Sequence, residues 1–256
     1  MKIVFHERYY DSSYAMDPAA SPGRLEGIVD LLSKNEEFEF ISPQPATKED
    51  ILRAHSKRHH DAIKRDFTLF ELSSLAAGGA ILAAEKAFEG EPTFGVIRPP
   101  GHHASSDSCW GFCYFNNISI SLLKLFSEGK IKSAFVLDFD LHTGDGNLNI
   151  LKNRDDGFRV EIQNPSARTN REYLIEVENY MEKLEDIDII VASAGFDEGV
   201  DDWGGLLTPE DYTRIGNLMK RYSEKLCKGR RYALLEGGYN HDVLPINVKS
   251  FCNGFK

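Results

Sequence analysis

The residues best placed to do chemistry lie in Ala134 to Gly146, AFVLDFDLHTGDG. An apolar run ends there in Asp138, Asp140 and His142, followed by Thr143, Gly144, Asp145 and Gly146. Side chains alternate between the faces of a strand, so Asp138, Asp140 and His142 start out on one face, where like charges repel unless a cation sits between them. Two carboxylates and an imidazole so placed point to a metal ion. Asp145 taken alone reads more simply as a helix cap or turn residue.

Other polar, glycine-rich clusters follow other apolar runs: RPPGHHA after Ile97, SAGFDEG after Ala192, and LEGGYN at Leu235. His102 and His103 offer bases near neutral pH, with two ordinary turn histidines as the lesser reading of that pair alone. Asp140, His142 and Asp197 offer one nitrogen and two carboxylates, and Tyr239 a phenol beside a glycine hinge. Three protein ligands with one open position is the arrangement of a catalytic zinc, which would acidify a bound water and polarise a carbonyl.

The elements that must position these groups alternate along the chain. Lys2 to Phe5 and Glu37 to Ile41 read as strands, with a helix over Arg24 to Leu32 between them. Ser42 to Ala46 is a turn, and Thr47 caps a helix expected to continue to about Arg65, leaving His59 and His60 exposed at its basic end. Leu72 to Phe88 is so rich in Ala and Gly that it reads as an internal helix closely approached by a neighbour. Strands at Thr93 to Ile97, at Ala134, at Phe158 to Ile162, at Ile187 to Ala192 and at Arg231 to Leu235 alternate with helices over Asn117 to Glu128, around Tyr173 to Leu184, and from Thr208 onward. Thr208, Pro209 and Asp211 form the start signal of that last helix. Asp242 to Lys256 is ambiguous. This alternation implies a single α/β domain over residues 1–256, three layers deep (α/β/α), with a mostly parallel central sheet. Ligands of such sheets bind outside the carboxyl ends of the strands, so the polar clusters are expected to converge on one crevice.

Composition narrows the classes. At 256 residues the chain can bury one sizeable core. A formal charge of −10 argues against direct binding of nucleic acid, which relies on Lys and Arg neutralising phosphates. No apolar stretch is read as reaching membrane-spanning length, and MKIVFHERYY is interrupted too soon by His6, Glu7 and Arg8 for a signal peptide, so a cytoplasmic protein without a membrane partner is expected. Cys109, Cys113, Cys227 and Cys252 form no CxxC pair and read as reduced thiols; no second Cys or His pair stands at finger distance from Cys109 and Cys113.

Two families share parts of this pattern. A carboxylate pair after an apolar strand resembles the aspartyl nucleophile of haloacid-dehalogenase phosphatases, which have no use for the histidine. A far wider resemblance is to the histone deacetylases and their bacterial and archaeal relatives, including acetylpolyamine amidohydrolases. RPPGHHA, GFCYFNN, LDFDLHTGDG, SAGFDEGVDDWGGLLTPEDY and LEGGYN are similar to that family's motifs in its order, and SPGRLEGI to its first helix.

That resemblance implies an arginase/deacetylase-like fold and one zinc per chain held by Asp140, His142 and Asp197. It implies His103 as general base, His102 as its electrostatic partner, and Asp138 and Asp145 as the acids bonded to the two histidines. Tyr239 matches the hydroxyl that holds the oxyanion, and Phe112, next to Gly111, an aromatic wall of the substrate tunnel. Arg24 matches a residue lining the inner pocket that releases acetate. A structural potassium ion is implied beneath the zinc, through Asp138 and backbone carbonyls of its loop, where the following strand here reads VEIQN. The activity implied is zinc-dependent hydrolysis of an N-acetylated amine, either peptide or small molecule; oligomeric state stays open. Alternatives are a non-catalytic acyl-binding or scaffold member of the fold, and an arginase-like ureohydrolase with two manganese ions. Departures from the pattern are Thr143 where a second histidine is usual, a short segment from Gly146 to Tyr173 in place of a long loop, and no obvious rim Asp between Arg65 and Leu72.

Overall fold

A computed structural model describes residues 1–152 and 154–256. In chain order the elements are β1 (Lys2–Val4), α1 (Glu26–Ser33), β2 (Glu39–Ile41), α2 (Lys48–Leu52), α3 (Lys57–Ile63), α4 (Phe67–Phe88), β3 (Thr93–Gly95), α5 (Asn117–Ser127), β4 (Ser133–Asp138), α6 (Asp145–Leu151), β5 (Arg159–Gln163), α7 (Asn170–Glu182), β6 (Ile190–Ala194), α8 (Pro209–Cys227), β7 (Arg231–Leu235) and α9 (Leu244–Phe255). The strands form one seven-stranded sheet in the order β2-β1-β3-β7-β6-β4-β5. Every pairing in it is parallel.

The central strands explain their own position. All residues of β3, β4, β6 and β7 are buried, as they must be where helices cover both faces. At the edges, β2 and β5 carry exposed or half-buried residues. The helices fall into two groups, α4 packing with α5 and the strands β1, β3 and β7, and α8 packing with α7, α9 and the strands β6 and β7. Phe94, Phe139, Phe196, Tyr212 and Phe251 interlock in the core between sheet and α8–α9.

The Ala and Gly content of α4 has the consequence expected of it. A Cβ on Gly78 would lie 1.8 Å from the Gln44 carbonyl oxygen, and the Ala46 N–H donates to Ser74 O at 2.8 Å, so the segment after β2 runs directly against the helix backbone. With 22 residues, α4 is also long and apolar enough to cross a membrane, which corrects the reading that no stretch reaches that length; here its small residues are buried in the core.

Two further readings are corrected. The helix begun at Thr47 does not run to Arg65: it stops at Leu52, and Ser56 starts α3 by accepting the His59 N–H. His59 and His60 are buried rather than exposed. The cause is aromatic packing, in which His59 and His60 of α3 and His55 just before it gather around Phe115. His55 Nδ1 bonds Ser105 O at 2.9 Å and its Nε2 accepts the Asn116 N–H at 2.8 Å, while His59 Nε2 bonds Tyr114 O at 2.7 Å. These histidines brace the long connection after β3. The ambiguous C-terminal stretch is α9, which packs on α1 and α8.

Candidate active site

Strands β3, β7, β6 and β4 are consecutive neighbours in the sheet, and each is followed at its carboxyl end by one of the polar clusters. Parallel pairing puts those ends on the same edge, so the clusters meet. His102, His103, Gly111, Phe112, His142 and Tyr239 line one cavity of about 110 Å³, together with Trp110 and Trp203. Larger grooves exist elsewhere, such as one of about 390 Å³ lined by Arg171, Ile175 and Arg221, but they carry no comparable acid–base set.

Asp140 and His142, just beyond β4, and Asp197, just beyond β6, each bring a donor atom within 4.8 Å of the others. His142 Nδ1 lies 3.2 Å from Asp140 Oδ1 and 3.3 Å from Asp197 Oδ2. Four ligands at zinc distances stand about 3.3 Å apart along the edges of a tetrahedron, so these separations fit a single zinc-sized ion. Asp197 Oδ1 accepts the Leu141 N–H at 3.1 Å, which leaves its buried Oδ2 facing His142 and the donor cluster. The carboxylates sit against bare backbone: a Cβ on Gly237 would meet Asp140 Oδ2 and Asp197 Oδ2, each at 2.6 Å. Hydrogen bonds to Asp140 and Asp197 raise His142 to about 10, so in the metal-free protein its proton takes a cation's place. Burial and the neighbouring Asp140 raise Asp197 above the usual carboxylate range.

The histidines are held by separate acids. His102 Nδ1 lies 3.2 Å from Asp138 Oδ2, and His103 Nδ1 lies 2.6 Å from Asp145 Oδ1. Burial and the adjacent His102 lower His103 to about 4. His102 moves the other way: burial opposes its charge, but Asp140 and Asp138 outweigh that and raise it well above the usual range. Tyr239 is raised by burial and by Asp140, which keeps its hydroxyl a donor.

The remaining expected residues divide. Gly111 and Phe112 line the cavity with left-handed backbones, φ 59° and 67°. Arg24 is buried beneath it, donating from Nε to Gly238 O at 2.8 Å and from Nη2 to Glu236 O; it holds the glycine turn and is not part of the cavity lining. Its Cζ stands 5.4 Å from the Tyr239 ring centroid, and its Nη1 has no partner. Thr143 is exposed on a neighbouring groove, and Asp66, the aspartate between Arg65 and Leu72, caps α4 through the Leu69 N–H. The carbonyls expected to hold potassium are bonded by a side-chain amide, Asn164 Nδ2 donating to Asp138 O at 2.7 Å and reaching Asp140 O at 3.4 Å.

Sequence reasoning missed Trp110, Trp203, Asp202 and Glu236. Glu236 is buried, and its Oε2 accepts the N–H groups of Gly101 and His102 at 2.7 and 3.2 Å. Both tryptophans stand inside quoted or adjoining motifs, and their place in loops after strands was the available signal.

A parallel three-layer α/β protein with a dihistidine and a three-donor cluster at the sheet's carboxyl edge is the class that fold and site define. The model described as histone deacetylase domain matches residues 18–164 and 152–255. The chain belongs to the histone deacetylase family. A probable deacetylase of Archaeoglobus fulgidus is 30% identical, over 93% of this chain and 81% of that protein. The histone deacetylase-like amidohydrolase of Pseudomonas aeruginosa is 26% identical over 87% of this chain and 72% of that protein. The polyamine deacetylase of Danio rerio is 26% identical over 85% of this chain but only 38% of its own length. In fold, the HDA15 HD domain superposes with a TM-score of 0.84 at 22% identity, covering 99% of this chain and 88% of that one.

Proposed function

We propose that this chain is a zinc-dependent deacetylase that hydrolyses the amide of an N-acetylated amine. The convergence of Asp140, His142 and Asp197 beside two acid-held histidines and Tyr239 carries this reading. The relatives named as deacetylases and amidohydrolases support it.

An amide is a weak electrophile with a poor leaving group, so its hydrolysis needs an activated water, a held oxyanion and a proton for nitrogen. Asp140, His142 and Asp197 would hold zinc, which when bound acidifies water and polarises the carbonyl. His103 is neutral near pH 7 and its Nδ1 is engaged by Asp145, leaving Nε2 to take the proton from water and return it to the departing amine. His102, kept cationic by Asp138 and Asp140, balances the negative charge that develops beside it. Tyr239 donates its hydroxyl hydrogen to the oxyanion. The cavity of about 110 Å³ and its aromatic lining suit a slender, apolar acylated chain.

An arginase-like reading would need an Asp-rich second metal set. Among the described residues the other candidate group is His102, Cys113 and Glu236, which contains one carboxylate and a residue already given to the acid–base pair. The test is a deacylation screen over an acetyl-lysine coumarin reporter, N-acetylputrescine and small N-acetyl amines, with and without a zinc chelator. Tyr239→Phe is expected to lose about 2.7–4 kcal/mol of transition-state stabilisation, as for one oxyanion donor. An unchanged rate in that variant removes Tyr239 from the mechanism, and turnover indifferent to the chelator removes the metal.

A further inference from the structure

The chain's two tryptophans, Trp110 and Trp203, both line the cavity mouth, and they remain 55% and 53% exposed. Neither belongs to a helix or strand. Large rings left half in water forgo much of the gain of burial, so a pair of them at one opening needs a reason in the site itself.

Each indole lies against one side chain of the acid–base and oxyanion set. The Trp110 ring is 3.8 Å from the His103 ring with planes 32° apart. Its Nε1–H donates to Asp145 Oδ2 at 2.9 Å, while Asp145 Oδ1 holds His103 Nδ1, so one carboxylate ties both rings. Trp203 stacks on Tyr239 at 4.1 Å and 26°. Here the link runs through the backbone: Asp202 Oδ1 accepts the backbone N–H of the adjoining Trp203 at 2.9 Å, and Asp202 Oδ2 accepts the backbone N–H groups of Tyr239 and Asn240 at 2.7 and 2.8 Å. Phe112 meets the Tyr239 ring edge-on at 5.8 Å.

We propose that Trp110 and Trp203 are positioning residues, each clamping one reacting side chain in the orientation the reaction requires, with Asp145 and Asp202 as the tethers. Trp110 sets His103, and Trp203 sets Tyr239. Arg24 holds the backbone of the Gly237–Gly238 turn that precedes Tyr239, and the indole adds restraint on the phenol ring itself. This assignment rests on the roles given to His103 and Tyr239 under the proposed function.

The experiment measures kcat and KM with the acetyl-lysine reporter or N-acetylputrescine, whichever is turned over. Trp203→Leu is expected to lower kcat about tenfold, with Trp203→Phe restoring most of the loss because a ring keeps the stack. In a Tyr239→Phe background the same Leu substitution is expected to cost less than about twofold, since the hydroxyl it positions is gone. Asp202→Ala reads the same coupling from the backbone side should Trp203→Leu fail to fold. Trp110→Leu is likewise expected to lower kcat about tenfold, with Trp110→Phe restoring part of the loss because a ring keeps the stack on His103 while the N–H to Asp145 is gone. Equal losses from Trp203→Leu in both backgrounds, a loss confined to KM, or no rescue of Trp110→Leu by Trp110→Phe overturns the clamp. A Tyr239→Phe enzyme with the wild-type rate overturns the role of Tyr239 itself, and so the premise rather than the clamp.

Discussion

Asp138 and Asp140 are two residues apart and do different work because of what surrounds them. Asp138 ends β4, fully buried, and is given to His102 and the Asp140 N–H. Asp140 lies past the strand end, where it meets His142 and Asp197. The two histidines divide in the same way: burial and a cationic neighbour lower His103, whereas Asp140 and Asp138 raise His102. The base must be unprotonated, so the rate should hold as pH falls through the ordinary histidine value of 6.5 and decline only toward about 4. The acid limb of kcat/KM, measured at saturating zinc, checks this. A limb at 6.5 or above would mean that another group is the base.

At the scale of elements, the site depends on how closely backbones approach one another. The segment after β2 lies on α4 because Gly78 has no side chain. Gly78→Ala puts a methyl into the Gln44 carbonyl, a backbone atom that cannot swing aside, and is expected to cost about 3 kcal/mol. That corresponds to a fall of about 6–12 °C in Tm, measured by calorimetry; a variant as stable as wild type would mean that the segment is free to move off the helix. The short helix α3 illustrates the opposite kind of surprise. Its histidine run looked like a solvated helix end, and only the packing around Phe115 turned it inward as a brace for the connection carrying His102, His103 and Trp110.

For the molecule as a whole, the proposed ion would link binding to folding. Buried Asp140 and Asp197 repel one another in the metal-free protein, and a bound divalent ion relieves this. Zinc at about one hundred times its Kd is expected to raise Tm by about 5–10 °C. The ion must displace the proton that Asp140 and Asp197 keep on His142 up to about pH 10, so binding at pH 7 releases a proton and weakens as pH falls. Calorimetry in buffers of different ionisation enthalpy reads that proton. Exchanging potassium for sodium should leave Tm unchanged, because Asn164 already bonds the carbonyls such an ion would use. Dependence on potassium would show that the amide yields its place.

Much of this was legible in the chain itself. Periodicity and caps marked most of the strands and helices, and the clusters around His102, Asp140, Asp197 and Tyr239 were visible because each interrupts a buried run with groups that cannot be buried alone. Contacts between loops distant in sequence were decided only by the fold. That β3, β7, β6 and β4 are neighbours, that Asn164 reaches back to Asp138, and that the two tryptophans lean on His103 and Tyr239 all follow from strand order and packing. Local residue pattern carries the tendency of a segment to be strand, helix or turn. Which turns share one edge of the sheet is a property of how the segments pair, and no single segment encodes it.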